Sequence, residues 1–142
     1  MSEHLLSEIH DGVGSIVFNR PERLNAVSPE MAEELVRAIH RFERNPEVRC
    51  VLIRGEGSSF TSGGDVKSFH EALVEDREAH AGRMEQRVVN GHLSMHRLRR
   101  MPKPVIVVAQ GITAGLGVSL LCCADLAIAA DDAEFVLAYR HI

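Results

Sequence analysis

Apolar positions along the chain switch between strand-like runs and helical spacing. Val13-Gly14-Ser15-Ile16-Val17-Phe18 predicts a strand, and residues 19–26, with Pro21, read as a loop. Met31, Leu35, Ile39 and Phe42 then recur at helical spacing. Ser28 is a candidate N-cap for this helix, Pro29 suits its first turn, and Glu30, Glu33 and Glu34 complement the positive dipole end. Asn45-Pro46 ends it. Residues 48–53 predict a second strand, 55–64 a Gly/Ser-rich loop, and Asp65 a cap for a short helix. A long polar helix is expected over 77–100, with Met84, Val88, Met95 and Leu98 on one stripe and Pro102 and Pro104 closing it. The continuous apolar run at 105–109 predicts a strand buried on both faces. Residues 111–117 form a glycine-rich turn into an apolar helix over 116–123, and 126–129 and 135–138 read as two more strands. Strands alternating with helices define an α/β fold, without a linker or second domain.

The 142 residues suffice for one domain with a core. A net charge of −4 argues against a broad nucleic-acid footprint. Arg97, Arg99, Arg100 and Lys103 form a local basic group that reads as a solvated helix end before it reads as a phosphate site. Cys50, Cys122 and Cys123 are odd in number and contain no C-x-x-C, so neither a disulfide framework nor a zinc site is expected. Their apolar neighbours predict buried free thiols, in keeping with a reducing, cytoplasmic setting. No signal peptide is evident, and the apolar stretches are too short to span a bilayer. The chain stops just after Tyr139-Arg140-His141 with no cap or closing helix, which reads as a truncation.

Two strand-to-helix turns carry the candidate chemistry: Phe60-Thr61-Ser62-Gly63-Gly64-Asp65 and Gly111-Ile112-Thr113-Ala114-Gly115-Leu116-Gly117. Glycine there lets a ligand approach the backbone, and exposed N–H groups at a helix start attract negative charge. Two such groups converging on one oxygen make an oxyanion hole. Neither turn is a P-loop or a G-x-G-x-x-G fingerprint, and each alone reads first as a tight connection.

Taken in order, four segments resemble the crotonase (enoyl-CoA hydratase/isomerase) superfamily. They are Asn19-Arg20-Pro21 with Asn25-Ala26, Phe60-x-x-Gly63-x-Asp65, Gly111-x-x-Ala114-Gly115-x-Gly117, and Cys123-Ala124-Asp125-Leu126-Ala127-Ile128-Ala129. The resemblance covers essentially the whole chain but only the N-terminal half of a family member. It implies a crotonase-like spiral of ββα repeats, incomplete at the C-terminus, with residues 1–142 the N-terminal part of a single domain. It implies acyl-CoA substrates, with coenzyme A entering as part of the substrate and no other cofactor or metal. It also implies a homotrimer or hexamer when complete.

Carried onto this chain, the oxyanion donors are the backbone N–H groups of Gly64 and Leu116, the latter standing where the family commonly has glycine. The coenzyme A segments fall at Arg23, Leu24 and Ala26, and at Gly63, Asp65 and Lys67, with Arg23 and Lys67 as candidate contacts to phosphates or adenine. The two family glutamates that add water across a double bond correspond to Ser119 and Tyr139, neither a carboxylate. Branches that resemble epoxyphenylacetyl-CoA isomerases and chlorobenzoyl-CoA dehalogenases place an Asp slightly later, which here falls beyond Ile142. His92 stands where the dehalogenases carry a functional histidine, although His92 and His96 read more simply as a solvated or structural pair. Asp125 and Asp65 read as structural, the first bonding backbone and the second capping a helix. Two functions stay open: an acyl-CoA hydratase or isomerase, and a non-catalytic acyl-CoA-binding protein.

Overall fold

The computed structural model describes residues 4–75 and 77–138. A hairpin of β1 (Leu5–His10) and β2 (Val13–Phe18) opens the chain, followed by a short 3₁₀ turn at Pro21–Arg23 and α1 (Pro29–Arg44). Then come β3 (Cys50–Gly55), α2 (Val66–Glu75), α3 (Arg77–Arg100), β4 (Val105–Ala109), β5 (Ile112–Ala114), α4 (Leu116–Cys123), β6 (Leu126–Ala129) and β7 (Glu134–Val136). A five-stranded sheet runs β1-β2-β3-β4-β6, with β1 antiparallel to β2 and every later pairing parallel. A second, narrower layer of pairings runs beside it: Val27 with Gly64, Thr61 with Thr113, and β5 with β7. Each repeat therefore gives one strand to the large sheet and a short segment to the small layer before its helix, which is the expected ββα spiral.

Local chemistry explains the best-formed element. The Ser28 hydroxyl accepts the Met31 N–H at 3.3 Å, Pro29 occupies the first turn, and Met31, Leu35, Ile39 and Phe42 lie fully inward. They join Ile16, Phe18, Ile53, Phe60, Leu98 and Leu120 in one core. Burying each such side chain stabilises the fold by about 1.5–3 kcal/mol before entropy is counted. Lys103 caps the other end of α1, its Nζ donating to the Phe42 and Asn45 carbonyls at 2.5 and 2.6 Å.

Several expectations need correction. The strand β1 was not foreseen, nor was β5 inside the glycine-rich turn, and β3 starts two residues later than its apolar run. The strand β4 is sealed on one face only: Val105, Val107 and Ala109 are fully buried while Ile106 and Val108 are partly open. Val88 is exposed, so the stripe on α3 reduces to Met95 and Leu98 against the core, Met84 being half-buried. The cysteines are free but not buried: Cys122 is exposed, and Cys50 and Cys123 are intermediate. Apolar neighbours in sequence bury a thiol only where a second layer covers it. Such cover is sparse here: Leu126, Ile128, Phe135 and Leu137 are more than half exposed. Among the described residues no helix is long and apolar enough to cross a membrane.

Candidate active site

The first turn is held by side chains. Thr61 is fully buried, its hydroxyl donating to the Asn25 carbonyl at 2.8 Å and accepting the Gly63 N–H at 3.1 Å. Backbone bonds from Val27 N to the Gly63 carbonyl (2.8 Å) and from Asp65 N to the Val27 carbonyl (3.0 Å) bracket Gly64. Gly63 has φ +96°, which favours glycine, and a Cβ there would lie 3.1 Å from the Ala114 carbonyl oxygen. That proximity shows that the two turns pack directly against each other.

The second turn is held by backbone and by the absence of side chains. Ala114 N donates to the Thr61 carbonyl at 2.9 Å, and Gly115 N to the Val136 carbonyl at 3.0 Å. A Cβ at Gly117 would lie 2.7 Å from the Thr61 methyl, so only glycine lets α4 sit this close. Gly115 provides no side-chain cap for α4. Among the described residues, neither the Gly64 N–H nor the Leu116 N–H donates to a protein acceptor. The Thr113 hydroxyl, beneath this turn, is buried with no hydrogen-bond partner.

A cavity of about 440 Å³ opens beside the first turn, lined among others by His4, Arg20, Arg23, Ser28, Asp65 and Lys67. Three of the residues assigned to coenzyme A, Arg23, Asp65 and Lys67, thus share one depression. Leu24, Ala26 and Gly63 do not line it and contribute backbone: the Leu24 carbonyl accepts Ser62 N at 2.9 Å, and the Ala26 carbonyl accepts Arg20 Nη1 at 2.8 Å. Lys67 pairs with Glu71 at 3.7 Å, both well exposed. A second cavity of about 190 Å³ lies between α1 and α3, with Ala32, Leu35, Met95 and Leu116 in its wall.

Ser119 sits within α4, its hydroxyl 3.5 Å from the Gly115 carbonyl, and lines neither cavity. Tyr139 lies outside the described residues. His92 and His96 are exposed. Asp65 does cap α2, accepting Ser68 N at 3.3 Å, and Asp125 accepts the Val105 N–H at 2.8 Å, as their structural reading required. The basic group at the end of α3 is engaged in structure: Arg97 pairs with Glu43 at 2.6 Å, Arg99 with Asp125 at 4.0 Å, and Lys103 caps α1. The Cys123 thiol is held above its ordinary pKa, mainly by burial and then by Cys122, against an opposing pull from Arg99. Among the described residues, no group of three or more His, Cys, Asp or Glu side chains is arranged to hold a metal. Sequence reasoning missed Arg20 as a site residue, although Asn19-Arg20-Pro21 was the signal that marked the loop.

A largely parallel α/β spiral whose small layer brings two glycine turns together is the architecture of a crotonase-like fold. Residues 13–139 match the family model for enoyl-CoA hydratase/isomerase, and the chain belongs to that family. It is 35% identical over 142 residues to the 1,2-epoxyphenylacetyl-CoA isomerase of Escherichia coli (strain K12), covering 100% of this chain and 53% of that protein. It is 33% identical over 144 residues to 4-chlorobenzoyl coenzyme A dehalogenase-2 of an Arthrobacter species, covering 99% and 50%. The crystal structure of an enoyl-CoA hydratase/isomerase from Xanthobacter autotrophicus Py2 superposes with a TM-score of 0.82 at 32% identity, over 95% of this chain and 49% of that one. The chain thus spans about half the length of the relatives it matches.

Proposed function

We propose that residues 1–142 form the N-terminal part of a single crotonase-like domain in an acyl-CoA-processing enzyme of the hydratase/isomerase type. The observation that carries this reading is the pair of packed turns, whose Gly64 and Leu116 N–H groups meet no acceptor among the described residues. Arg23 and Lys67 hold the anionic coenzyme A portion at the larger cavity. The thioester carbonyl oxygen lies between the Gly64 and Leu116 N–H groups, which stabilise the charge that gathers there as an enolate forms. Coenzyme A arrives with the substrate, and the reading needs no other cofactor and no metal. Its proton-transfer group is not Ser119, which has no ionisable side chain in the useful range. Isomerisation of the epoxyphenylacetyl-CoA type ranks beside hydration, because the isomerase relative matches the whole chain. The reading places the complete protein in the cytoplasm as a homotrimer or hexamer acting on acyl-CoA, with neither nucleic acid nor membrane as partner.

The alternative is an acyl-CoA-binding protein without turnover, favoured by the serine at the position of the first family glutamate. Calorimetric titration of the complete protein with acetyl-CoA and free coenzyme A tests both readings. Micromolar binding is expected, weakened about tenfold in the Arg23→Gln/Lys67→Gln double variant as two charge-assisted contacts are lost. No binding at millimolar ligand sinks both readings; binding without enoyl-CoA or epoxyacyl-CoA turnover selects the alternative.

A further inference from the structure

Arg20 is the cation on which the geometry of the first turn converges. Its side chain is only 12% exposed, and that of its partner Asp65 17%. Its Nη1 donates both to the Ala26 carbonyl at 2.8 Å and to Asp65 Oδ2 at 3.1 Å. Its backbone N–H donates to Asn25 Oδ1 at 2.8 Å, and the Asn25 amide nitrogen reaches the Glu56 and Ser59 carbonyls at 2.9 and 2.8 Å. Arg20 Nε is buried with no hydrogen-bond partner. A guanidinium that leaves a buried donor unsatisfied is a costly way to fill space, so its contribution lies in what it fixes. What it fixes is specific: Ala26 and Asp65 flank the Val27–Gly64 bridge, one on each strand of the pairing. Asp65 meanwhile uses its other oxygen to cap α2. The guanidinium therefore fixes the loop at 20–27 internally through Ala26 and ties it to the turn at 63–65 through Asp65, the residue that follows Gly64.

We propose that the Arg20–Asp65 ion pair is a positioning device that sets the direction of the Gly64 N–H toward the thioester carbonyl oxygen. It rests on the reading of Gly64 as an oxyanion donor. Arg20 and Asp65 touch no reacting atom; they act through the backbone between them. Donor direction matters because stabilisation of a developing oxyanion requires the N–H to be aimed before the reaction occurs.

The test uses the complete protein and acyl-CoA carrying ¹³C at the thioester carbonyl. The infrared stretch of the bound carbonyl and the affinities for acyl-CoA and free coenzyme A are measured. Asp65→Ser is the decisive variant, because serine keeps a side-chain cap for α2 while removing the ion pair. It should abolish most of the downward shift of the bound carbonyl stretch and cut the preference for acyl-CoA over coenzyme A by about tenfold. Its affinity for free coenzyme A, measured alongside, should fall less than its affinity for acyl-CoA, because only acyl-CoA carries the carbonyl that meets the Gly64 N–H. Arg20→Gln should lose the carbonyl shift as well, and Arg20→Lys should recover part of it. A wild-type carbonyl shift and preference in Asp65→Ser overturns the positioning role and leaves the oxyanion reading standing. Absence of any shift in the wild-type protein overturns the oxyanion reading, and the positioning role with it.

Discussion

The two turns that meet at Gly63 and Ala114 are stabilised by opposite means. Around Gly63–Asp65, polar side chains brace the backbone: Arg20, Asn25, Thr61 and Asp65 supply seven hydrogen bonds across or within the loops. Around Gly111–Gly117, the holding is by main-chain pairing and by close approach where any side chain would collide. A braced turn weakens by degrees, one bond at a time. A turn built on missing side chains has little slack, because an added carbon meets the Ser58 carbonyl at Gly111 and the buried Thr61 methyl at Gly117.

Gly111→Ala should therefore produce the largest effect. Gly111 has φ +50°, and its Cβ would collide with the Ser58 carbonyl oxygen, an atom that no rotamer change can move. Left-handed strain and overpacking together should destabilise the protein by about 3 kcal/mol or more. Urea unfolding followed by circular dichroism measures this, and a loss under about 1 kcal/mol would show that the second turn yields as readily as the first.

Thr61→Val should cost less, about 2 kcal/mol, because the shape is kept while the Asn25 carbonyl and the Gly63 N–H lose their partner in a buried setting. The same unfolding experiment reads it. A change below about 0.5 kcal/mol would mean that backbone bonds alone hold the first turn, and the contrast between the turns would collapse.

The same contrast explains what was legible in the sequence. Elements whose signals are local read well: α1 has its cap, proline and inward stripe within one segment, and α4 spans the residues its apolar run marked. The strand β1 was hidden because its residues mostly face solvent, with only Leu5 fully buried, although Asp11-Gly12 is a hairpin turn signal. Burial of Val88 and of the cysteines failed because periodicity says which residues share a face, not whether another layer covers it. At the site, glycines and small residues marked where backbone would be offered. The brace was not legible, since Arg20 and Asp65 lie 45 positions apart and pair only after the loop and turn have folded together.

The smallest effect separates the binding role of Lys67 from a structural one. Lys67 and Glu71 form an i,i+4 pair at 3.7 Å with side chains 67% and 60% exposed, and both line the larger cavity. In that setting the pair is worth at most about 0.5 kcal/mol to folding, so Glu71→Gln should leave the unfolding midpoint almost unchanged. Binding should respond in the other direction. With the carboxylate gone, Lys67 is released and a repulsive charge leaves the cavity, so affinity for free coenzyme A should rise about twofold at low salt. The gain should fade as ionic strength increases, because exposed charges are screened over about 10 Å at 0.1 M salt. A salt-sensitive gain without a change in stability marks the first turn's cavity as the anion-binding side of the site. A loss of stability with no gain in affinity would instead make Lys67 a helix-surface residue and leave Arg23 as the remaining cationic contact of the pair assigned to coenzyme A.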